Sequence, residues 1–329
     1  MRILNTAASG VRAQQTALDT LGNNISNINT PGFKGQRVDF AEALASQLRP
    51  EDREFREEPV GSALNLGVGV MYQNISTNFR QGNVQATESP LDLAIDGEGF
   101  FPVRLENGES AYTRAGNFQL DAQGKLVNSN GHILEVRIPT EATDIYADPT
   151  GRIYGYLEGE ERIFGQIILP EEETENFPGG PLTLDELGRP LGENGELFNV
   201  AFVVPEGAEE VHISSDGLLR ASIDGEQVTL GQINLVYFTN PGGLRRSGEN
   251  LYLAPNAEGV TGEELVGTPG SQVQGQELGT LRSHSLEMSN VDLSQAMTEL
   301  IQVQRAYQLN SRMITNGDQM WSMANSLRR

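Results

Sequence analysis

Hydrophobic residues near the start of the chain recur at alternating spacings of three and four. Read from Leu4, the pattern runs through Leu4, Ala7, Val11, Gln14, Leu18, Leu21, Ile25 and Ile28. This spacing places the side chains along one side of a helix, and Gln14 is its single polar position. Pro31 and Gly32 favour an end to the helix just beyond, because proline disfavours helix before it and glycine supplies a left-handed stop. The pattern predicts an amphipathic helix of about four turns or more.

The other end of the chain has a matching pattern. Its seam positions are Leu293, Ala296, Leu300, Val303, Tyr307, Asn310, Ile314, Gly317, Trp321 and Ala324, widened by Met297, Ile301 and Met313. Ser289 or Asn290 can cap the start of this second helix. Each seam could pack on a globular core of its own. Their position at the two extremes of the chain favours a second arrangement, in which the two helices pack against each other.

Between the helical patterns the hydrophobic period changes to two. Phe100–Leu105 and Ala111–Arg114 flank Asn107-Gly108, which predicts a hairpin with a tight primed turn. A second hairpin is predicted from Phe118–Leu120 and Leu126–Val127, on either side of Gly124. The centre of the chain is therefore predicted to be β-rich, and the fold class α+β, with long terminal helices forming a coiled-coil-like assembly domain.

Part of this centre repeats. Residues 139–169 recur at 205–235 with a constant offset of 66, in the pairs Pro139 and Pro205, Ala142 and Ala208, Gly151 and Gly217, Gly159 and Gly225, Glu160 and Glu226, Gly165 and Gly231, Gln166 and Gln232, Ile167 and Ile233, and Leu169 and Leu235. Chance similarity between glycine-rich meanders is one explanation. The gapless offset favours a duplicated β unit.

These patterns predict five segments. They are an N-terminal assembly helix and turn (1–40), an extended linking segment (41–88), a β-rich domain (89–138 and 205–285), an extra duplicated β unit with its connector (139–204) and a C-terminal assembly helix (286–329).

Charge separates the middle of the chain from its ends. The formal net charge is −22, and the acidic excess lies wholly between residues 40 and 286. So negative a protein would repel nucleic acid. Nearly neutral ends suit association there, although a solvated acidic surface with ordinary terminal helices would have the same composition. The chain has no cysteine, no secretory signal pattern and no apolar stretch long enough to insert in a membrane.

Candidate chemistry is sparse. The three histidines, His132, His212 and His284, stand apart from one another and from any metal-ligand spacing. The sequence also lacks a nucleophile elbow and a phosphate-binding Walker loop. Gly97-Glu98-Gly99 is more consistent with a turn before a strand than with a dinucleotide fingerprint. We therefore predict no catalytic, cofactor-binding or metal-ligating residues.

Several segments resemble the signature of the flagellar rod and hook proteins. They are Asn23–Lys34, Ser89–Phe101, Ala111–Phe118, Ser247–Tyr252, Ser289–Asp292 and Ile301–Tyr307. They stand in the family's order and span most of the chain, and the last favours the distal rod branch. One departure is the second copy of the β unit, where typical distal rod members carry a single copy.

The resemblance implies a structural subunit that is exported unfolded and polymerises into a stiff tube in the basal body, where it transmits torque to the hook. Implied partners are other copies of the chain, proximal rod proteins and hook protein at the two ends, the rod cap, surrounding ring proteins and the type III export apparatus, without cofactors, nucleic acid or membrane insertion. A hook or proximal rod protein is the alternative within the family. A secreted β-rich adhesin or glycan-binding module is the alternative outside it, and an enzyme is a weaker one.

The predicted assembly interface consists of the seam residues and the polar end of the first helix. Its members are Leu4, Val11, Leu18, Leu21, Asn23, Asn24, Ile25, Asn27, Ile28, Gly32, Phe33, Leu293, Leu300, Val303, Tyr307 and Ile314. An isolated heptad helix of this length is marginally stable, so folding of the ends is expected to accompany assembly. The asparagine side chains are expected to hold backbone groups where the helix ends.

Overall fold

The computed structural model divides the chain into two compact units. Unit 1 comprises Met1–Ile28, Gly35–Asn78 and Val291–Arg329, and unit 2 comprises Asn29–Lys34 and Phe79–Asn290. The structure describes the chain except for residues 1, 43–68, 140, 158, 168–178, 186–187, 193–196, 206, 209, 224, 256–261 and 328–329. Much of the predicted linking segment thus lies outside the described residues, and the segment boundaries given above stay predictions.

Unit 1 contains both terminal helices and a two-stranded antiparallel sheet. Its elements are α1 (Arg2–Ser26), β1 (Gln36–Glu42), β2 (Val70–Thr77) and α2 (Leu293–Ser326). The helices α1 and α2 pack against each other, and α1 also packs on the sheet. The prediction that the two ends of the chain form paired helices is confirmed.

The start of α2 differs from the prediction. Asp292 is the N-cap residue, and its carboxylate accepts hydrogen bonds from the backbone N–H groups of Ser294 (2.8 Å) and Gln295 (3.1 Å). The predicted caps, Ser289 and Asn290, precede it. A carboxylate at this position satisfies two free donors and also carries the charge that the helix dipole favours.

Unit 2 is built from short antiparallel strands. They are β3 (Val84–Ala86), β4 (Leu93–Asp96), β5 (Phe101–Arg104), β6 (Ser110–Thr113), β7 (Phe118–Leu120), β8 (Leu126–Asn128), β9 (Ile133–Leu134), β10 (Thr143–Ala147), β11 (Arg152–Leu157), β12 (Glu160–Ile167), β13 (Gly180–Pro181), β14 (Thr183–Leu184), β15 (Pro190–Leu191), β16 (Val200–Ala201), β17 (Glu210–Ile213), β18 (Leu218–Ile223), β19 (Glu226–Gln232), β20 (Leu235–Phe238), β21 (Arg245–Gly248), β22 (Leu251–Leu253), β23 (Glu264–Gly267), β24 (Gln272–Val273), β25 (Gln276–Glu277), β26 (Thr280–Ser283) and β27 (Ser285–Glu287). A 3-10 turn at Pro241–Gly243 precedes β21. The centre of the chain is β-rich, as predicted.

Three larger sheets organise these strands. The orders are β21-β22-β6-β5-β9-β8-β7, β13-β10-β11-β12-β16 and β17-β18-β19, and the remaining strands form two-stranded pairs. One hydrophobic core, with Phe101, Phe164 and Phe202 among its buried residues, runs through all three sheets. A smaller aromatic cluster surrounds Phe100 and Tyr252.

The two segments that repeat in the sequence form similar meanders. Strand β11 spans Arg152–Leu157 and β18 spans Leu218–Ile223, so their bounds differ by the same 66 residues. The pairing with the next strand shifts register after Ile153 in one meander and after Leu219 in the other. The repeat therefore extends from residue identities to strand bounds and to the position of an irregularity.

The first predicted hairpin forms, but its turn is not the predicted two-residue turn. Leu105 pairs with Glu109 through its N–H (2.9 Å to the Glu109 carbonyl oxygen), and Gly108 donates to the Leu105 carbonyl oxygen at 3.0 Å. In this three-residue loop only Gly108 (φ +81°) takes the left-handed conformation. A two-residue type I′ turn needs the left-handed conformation at both of its central residues. The same loop recurs at Asp121–Lys125, Asn128–His132, Asp148–Arg152 and Ser214–Leu218.

Candidate assembly site

The helices α1 and α2 of unit 1 run antiparallel and approach closely. A methyl group placed on Gly10 would lie 2.8 Å from Nδ2 of Asn310, and one placed on Gly317 would lie 2.8 Å from Cδ2 of Leu4. Residue numbers therefore increase along α1 in the direction in which they decrease along α2, as in an antiparallel pair. The buried apolar residues of α1 are Ala7, Ala13, Ala17 and Leu21. The two helices come close at Gly10 and Gly317, because neither residue carries a side chain.

Most of the predicted seam residues lie between or beside the paired helices. Those buried or half-buried are Leu4, Val11, Leu18, Leu21, Ile25, Ile28, Leu300, Val303, Tyr307 and Ile314. Leu293 and Trp321, near the two ends of α2, are 46% and 53% exposed. The structure thus brings together the middle of the α2 seam and α1, and leaves the ends of the α2 seam uncovered.

A second apolar seam follows the exposed side of α2, and it was not predicted as a seam from the sequence, where only Met313 was noted, as a residue that widens the first seam. Its positions are Leu309, Met313, Asn316, Met320, Met323 and Leu327, at spacings of four and three, and the first five each stand one residue before a position of the first seam. Its apolar members are 45–88% exposed. The signal was present in the sequence as a second heptad pattern, hidden by its closeness to the first. We call these six residues the outer seam.

The helix α2 also reaches further than α1. It continues from Gly317, opposite Leu4, to Ser326, whereas α1 begins at Arg2. The end of α2 therefore projects roughly two turns, about 11 Å, past the start of α1. Met320, Trp321, Met323 and Leu327 lie on this projecting part.

The asparagines at the end of α1 have different roles. The amide of Asn24 is buried, donates to the Gln36 carbonyl oxygen (2.7 Å) and accepts from the Gln36 N–H (2.9 Å). Asn27 donates to the carbonyl oxygen of Asn23, whose side chain is exposed. Asn24 thus holds the start of β1 within the same chain.

The turn that follows α1 is part of unit 2. The N–H of Gly32 donates to the backbone oxygen of Glu287 at 2.7 Å. Gly32 has φ +67°, and a methyl group there would lie 2.4 Å from the backbone N of Ala115. Phe33 is fully buried, with the Arg246 guanidinium 4.7 Å from its ring centre. Gly32 and Phe33 were predicted interface residues, and both are inside unit 2.

A buried ion pair holds the end of this turn. Lys34 Nζ lies 2.6 Å from Glu287 Oε1 and donates to the Arg80 carbonyl oxygen at 2.9 Å. Glu287 Oε1 also accepts from the Gly82 N–H at 2.7 Å, and Glu287 Oε2 lies 3.5 Å from Arg114 Nη1. Burial, and then the charge of Arg114, lowers the pKa of Lys34, while Glu287 opposes the shift.

The turn between β21 and β22 also contacts the segment that follows α1. Glu249 (φ 51°) and Asn250 (φ 59°) are both left-handed, as a primed two-residue turn requires. Asn250 Nδ2 donates to the Pro31 carbonyl oxygen at 3.1 Å, and its own carbonyl oxygen accepts from Thr113 Oγ1 at 3.0 Å. Segments far apart in sequence thus meet around Pro31–Lys34. We call Pro31–Lys34, Arg114, Asn250 and Glu287 the anchor cluster.

The anchor cluster was not predicted as a site from the sequence. Lys34, Arg114 and Asn250 lie inside the family-like segments, but nothing in their spacing indicates that they meet. Glu287 has no sequence signal, since its partner Lys34 is 253 positions away.

A second buried charge group lies elsewhere in unit 2, around Arg137. Its guanidinium is 3.2 Å from Glu135 and 3.8 Å from Glu264, while Arg104 lies 2.8 Å from Glu135. Tyr112 donates to Glu264 at 2.8 Å. Burial raises the pKa of Glu264. Burial also opposes ionisation of Glu135, but Arg137 and Arg104 outweigh it and lower the pKa of that carboxyl.

Neither charge group resembles an active site. Each acidic side chain is paired with a cation or a hydroxyl, and within the described ranges no group of histidine, aspartate and glutamate side chains could hold a metal ion. No helix in the part of the chain that the structure describes is both long and apolar enough to cross a membrane. The arrangement holds elements in place and leaves apolar surface on α2.

Three family models match the chain. Residues 4–34 match the flagella basal body rod protein model, residues 94–155 the flagellar hook protein FlgE/F/G D1 domain, and residues 282–327 the flagellar basal body rod FlgEFG protein C-terminal model. The first match ends at Lys34 and the third includes Glu287. The two sides of the buried ion pair therefore belong to the two terminal family regions.

Full-length relatives agree with these matches. The flagellar basal-body rod protein FlgG of Caulobacter vibrioides is 32% identical over 332 residues, covering 100% of both chains. The FlgG proteins of Borreliella burgdorferi and Bacillus subtilis are 32% and 31% identical over 334 and 331 residues, covering 100% of this chain and 99% and 100% of theirs.

Proposed function

The chain belongs to the flagellar basal-body rod protein family and is a structural subunit of that rod rather than an enzyme, and on this premise we propose that it polymerises through its terminal helices in the distal part of the rod. The relatives described above are named FlgG, and their similarity to this chain extends over its whole length. The distal position follows from that name and from the family-like segment Ile301–Tyr307.

The outer seam of α2 is the observation that carries the mode of assembly. One side of α2 is already covered by α1, yet a second heptad pattern of apolar side chains stays exposed on the same helix. Burying each such side chain would contribute roughly 1.5–3 kcal/mol, against the cost of association. A seam with heptad spacing accepts another helix. The occupant that fits is a terminal helix of a second copy, because copies of the chain stand next to each other in a rod.

The proposal divides the leucine, valine, isoleucine and tyrosine seam residues of the predicted interface. Those that join α1 to α2 within one subunit are Leu4, Val11, Leu18, Leu21, Leu300, Val303, Tyr307 and Ile314. Leu293 joins subunits together with the outer seam, which was not part of the predicted interface. The coiled-coil-like assembly domain is then the helix pair together with the copies packed on it. Stiffness and the transfer of torque to the hook follow from packing helices along a tube.

The further partners rest on the family alone. We propose proximal rod proteins and hook protein at the two ends of the polymer, the rod cap, surrounding ring proteins, and the flagellar type III export apparatus. The absence of cysteine suits a chain that is exported unfolded.

We also propose that the two β meanders of unit 2 arose by duplication. The constant offset of 66 in residue identities, in the bounds of β11 and β18 and in the position of the register shift supports this. The chain then carries an enlarged β region in unit 2.

The test of assembly is a charge in the outer seam. Met320→Asp places a carboxylate where the neighbouring helix would pack, and Ser322→Asp places the same charge on α2 off both seams. Each variant replaces the native subunit in a motile bacterium that lacks its own copy. Met320→Asp should abolish incorporation into isolated basal bodies while the purified monomer keeps its circular dichroism, and Ser322→Asp should be incorporated normally. Normal incorporation of Met320→Asp would disprove the proposed interface.

A further inference from the structure

We propose that Gly10 and Asn310 set the register of the α1–α2 pair and thereby the length of α2 that projects past α1. The inference deepens the proposed assembly function and rests on it. It assigns to these two residues a role in specifying which surface each subunit presents to the next.

In this contact the side chain of Asn310 packs directly on the backbone of Gly10. From the position of a methyl group on Gly10, Nδ2, Cγ and Oδ1 of Asn310 would be 2.8, 3.2 and 3.5 Å away. The first distance is shorter than packed atoms adopt and the second is unusually short, so the amide of Asn310 would have to move if position 10 carried a side chain. The missing side chain of Gly10 leaves a hole in the surface of α1, and the amide of Asn310 fills that hole.

A second contact of the same kind lies one heptad further along α2. Gly317 receives the side chain of Leu4, whose Cδ2 and Cγ would be 2.8 and 3.4 Å from a methyl group there. Here the hole is on α2 and the filling group on α1. Two contacts of opposite direction, about 10 Å apart along the helices, define a single register.

The other seam positions discriminate less between registers. Apart from Gln14 on α1 and Asn310 on α2, they carry apolar or aromatic side chains or glycine, so a shift of one heptad would replace apolar contacts by other apolar contacts. The shift would, however, bring Val303 or Gly317 opposite Gly10 and move the amide of Asn310 onto apolar side chains. A polar residue in a heptad seam specifies register because its misplacement is costly.

Register matters for assembly because it decides where the outer seam lies. A shift of one heptad would move the projecting end of α2, with Met320, Met323 and Leu327, by about 10.5 Å relative to α1. A neighbouring copy would then meet a displaced seam.

The register can be measured in the monomer by cross-linking, because the chain has no cysteine of its own. Leu21→Cys with Leu300→Cys reports the observed register, because the contacts Gly10–Asn310 and Leu4–Gly317 place these two positions opposite each other and neither residue takes part in those contacts. Val11→Cys with Val303→Cys, and Leu21→Cys with Tyr307→Cys, report shifts of one heptad in the two directions, since in the observed register these pairs are about 10 Å apart, beyond the reach of a disulfide.

The decisive variant is Gly10→Ala, and Gly22→Ala on the same helix is its matched control, because a methyl group on Gly22 meets nothing within 4 Å. Gly10→Ala should lower cross-linking in the observed register severalfold and raise cross-linking of a shifted pair. Gly22→Ala should change neither. Gly10→Asn combined with Asn310→Gly exchanges the filling group and the hole, and should recover the observed register even if Gly10→Ala alone folds poorly.

Equal cross-linking of the Gly10→Ala and Gly22→Ala variants in the observed register would overturn the proposal, and so would failure of the exchanged pair to recover it. These results come from the monomer and do not depend on assembly through the outer seam. A Gly10→Ala subunit that shifts register and still enters basal bodies normally would overturn the link between register and assembly.

Discussion

At the residue scale, Lys34 and Glu287 are two charges buried with almost no contact with water. Removing charges from water is costly, and such a pair persists only where further hydrogen bonds complete it. Here the Arg80 carbonyl oxygen and the Gly82 N–H do so, at 2.9 and 2.7 Å. The pair joins the turn after α1 to the last strand before α2.

Replacing Lys34 tests this directly. Lys34→Met leaves the carboxylate of Glu287 buried with Arg114 at 3.5 Å as its remaining cation. We expect the free energy of unfolding of unit 2 to fall by about 3 kcal/mol, the cost of breaking a buried pair from one side. Arg282→Met is the control within the same unit, because its ion pair with Asp96 is largely exposed and should contribute less than about 1 kcal/mol. Denaturant titration of both variants measures the difference, and equal effects would mean that burial of the Lys34 pair is unimportant.

The two carboxyls beside Arg137 predict opposite responses to pH. Glu264 has a pKa raised by burial, so its contribution to stability is present below the ordinary value of 4.5 and is lost as the pH rises through the folded value. Glu135 has a lowered pKa, so its contribution is present above 4.5 and is lost as the pH falls through the folded value.

Glutamine at either position removes the titration and keeps the shape. Relative to the native chain, Glu264→Gln should become more stable as the pH rises above 4.5. Glu135→Gln should be least stable relative to the native chain above 4.5, and its deficit should shrink as the pH falls below that value. The free energies of unfolding of the native chain and of each variant, measured from about pH 3 to about pH 8 so as to include 4.5, give the difference for each substitution. The same sign for the two slopes would contradict the opposite shifts.

At the element scale, the two β meanders share the core of unit 2 with the strands around them. Phe202 and Val204 precede the second meander as Val136 and Ile138 precede the first, at the same offset of 66. All four are buried. Leu126 donates to the Phe202 carbonyl oxygen at 3.2 Å. The segment that leads into the second meander is therefore an integral part of the core.

Deleting residues 139–204 measures how separable the first meander is. The deletion joins Ile138 to Pro205 and keeps one copy of the repeat, but it removes Phe202 and Val204 from beside β8. We expect the shortened chain to unfold at lower denaturant concentration than the native chain, with a loss of at least the roughly 3–5 kcal/mol that Phe202→Ala alone should cost. A shortened chain as stable as the native one would show that the meander is an independent attachment.

At the scale of the whole molecule, the two units differ in what they bury. The buried apolar side chains of unit 1, within the described residues, are Ala7, Ala13, Ala17, Leu21 and Ala296. Those of unit 2 include many phenylalanines, leucines and isoleucines. Because burial free energy scales with apolar area, unit 1 has much the weaker core in the isolated subunit.

Hydrogen exchange on dilute monomer should show this difference. Backbone amides of α1 and α2 should exchange at a lower opening free energy than those of β5, β6 and β11, since local stability follows buried apolar contact. On assembly the helices should gain protection as the outer seam is covered. Protection of α1 and α2 equal to that of the β strands in a proven monomer would contradict the idea that the terminal helices depend on assembly.

The amino-acid sequence by itself determined the local elements. Heptad spacing revealed both terminal helices, the period of two revealed the strands, and glycines marked the loops, because these signals act between residues close in the chain. The family-like segments also determined the family. The turn at Gly108 was predicted in the right place but of the wrong type, because Asn-Gly also suits a longer loop with one left-handed residue.

Only the tertiary structure decided how those elements combine. It showed that α1 covers one seam of α2 and leaves the other exposed, and that the turn after α1 belongs to unit 2, where Lys34 meets Glu287. Neither contact has a local signature, since each joins residues more than 250 positions apart. Such pairings depend on the fit of shape and charge in three dimensions. The amide of Asn310 fills the space at Gly10, and the buried ammonium group of Lys34 pairs with the carboxylate of Glu287.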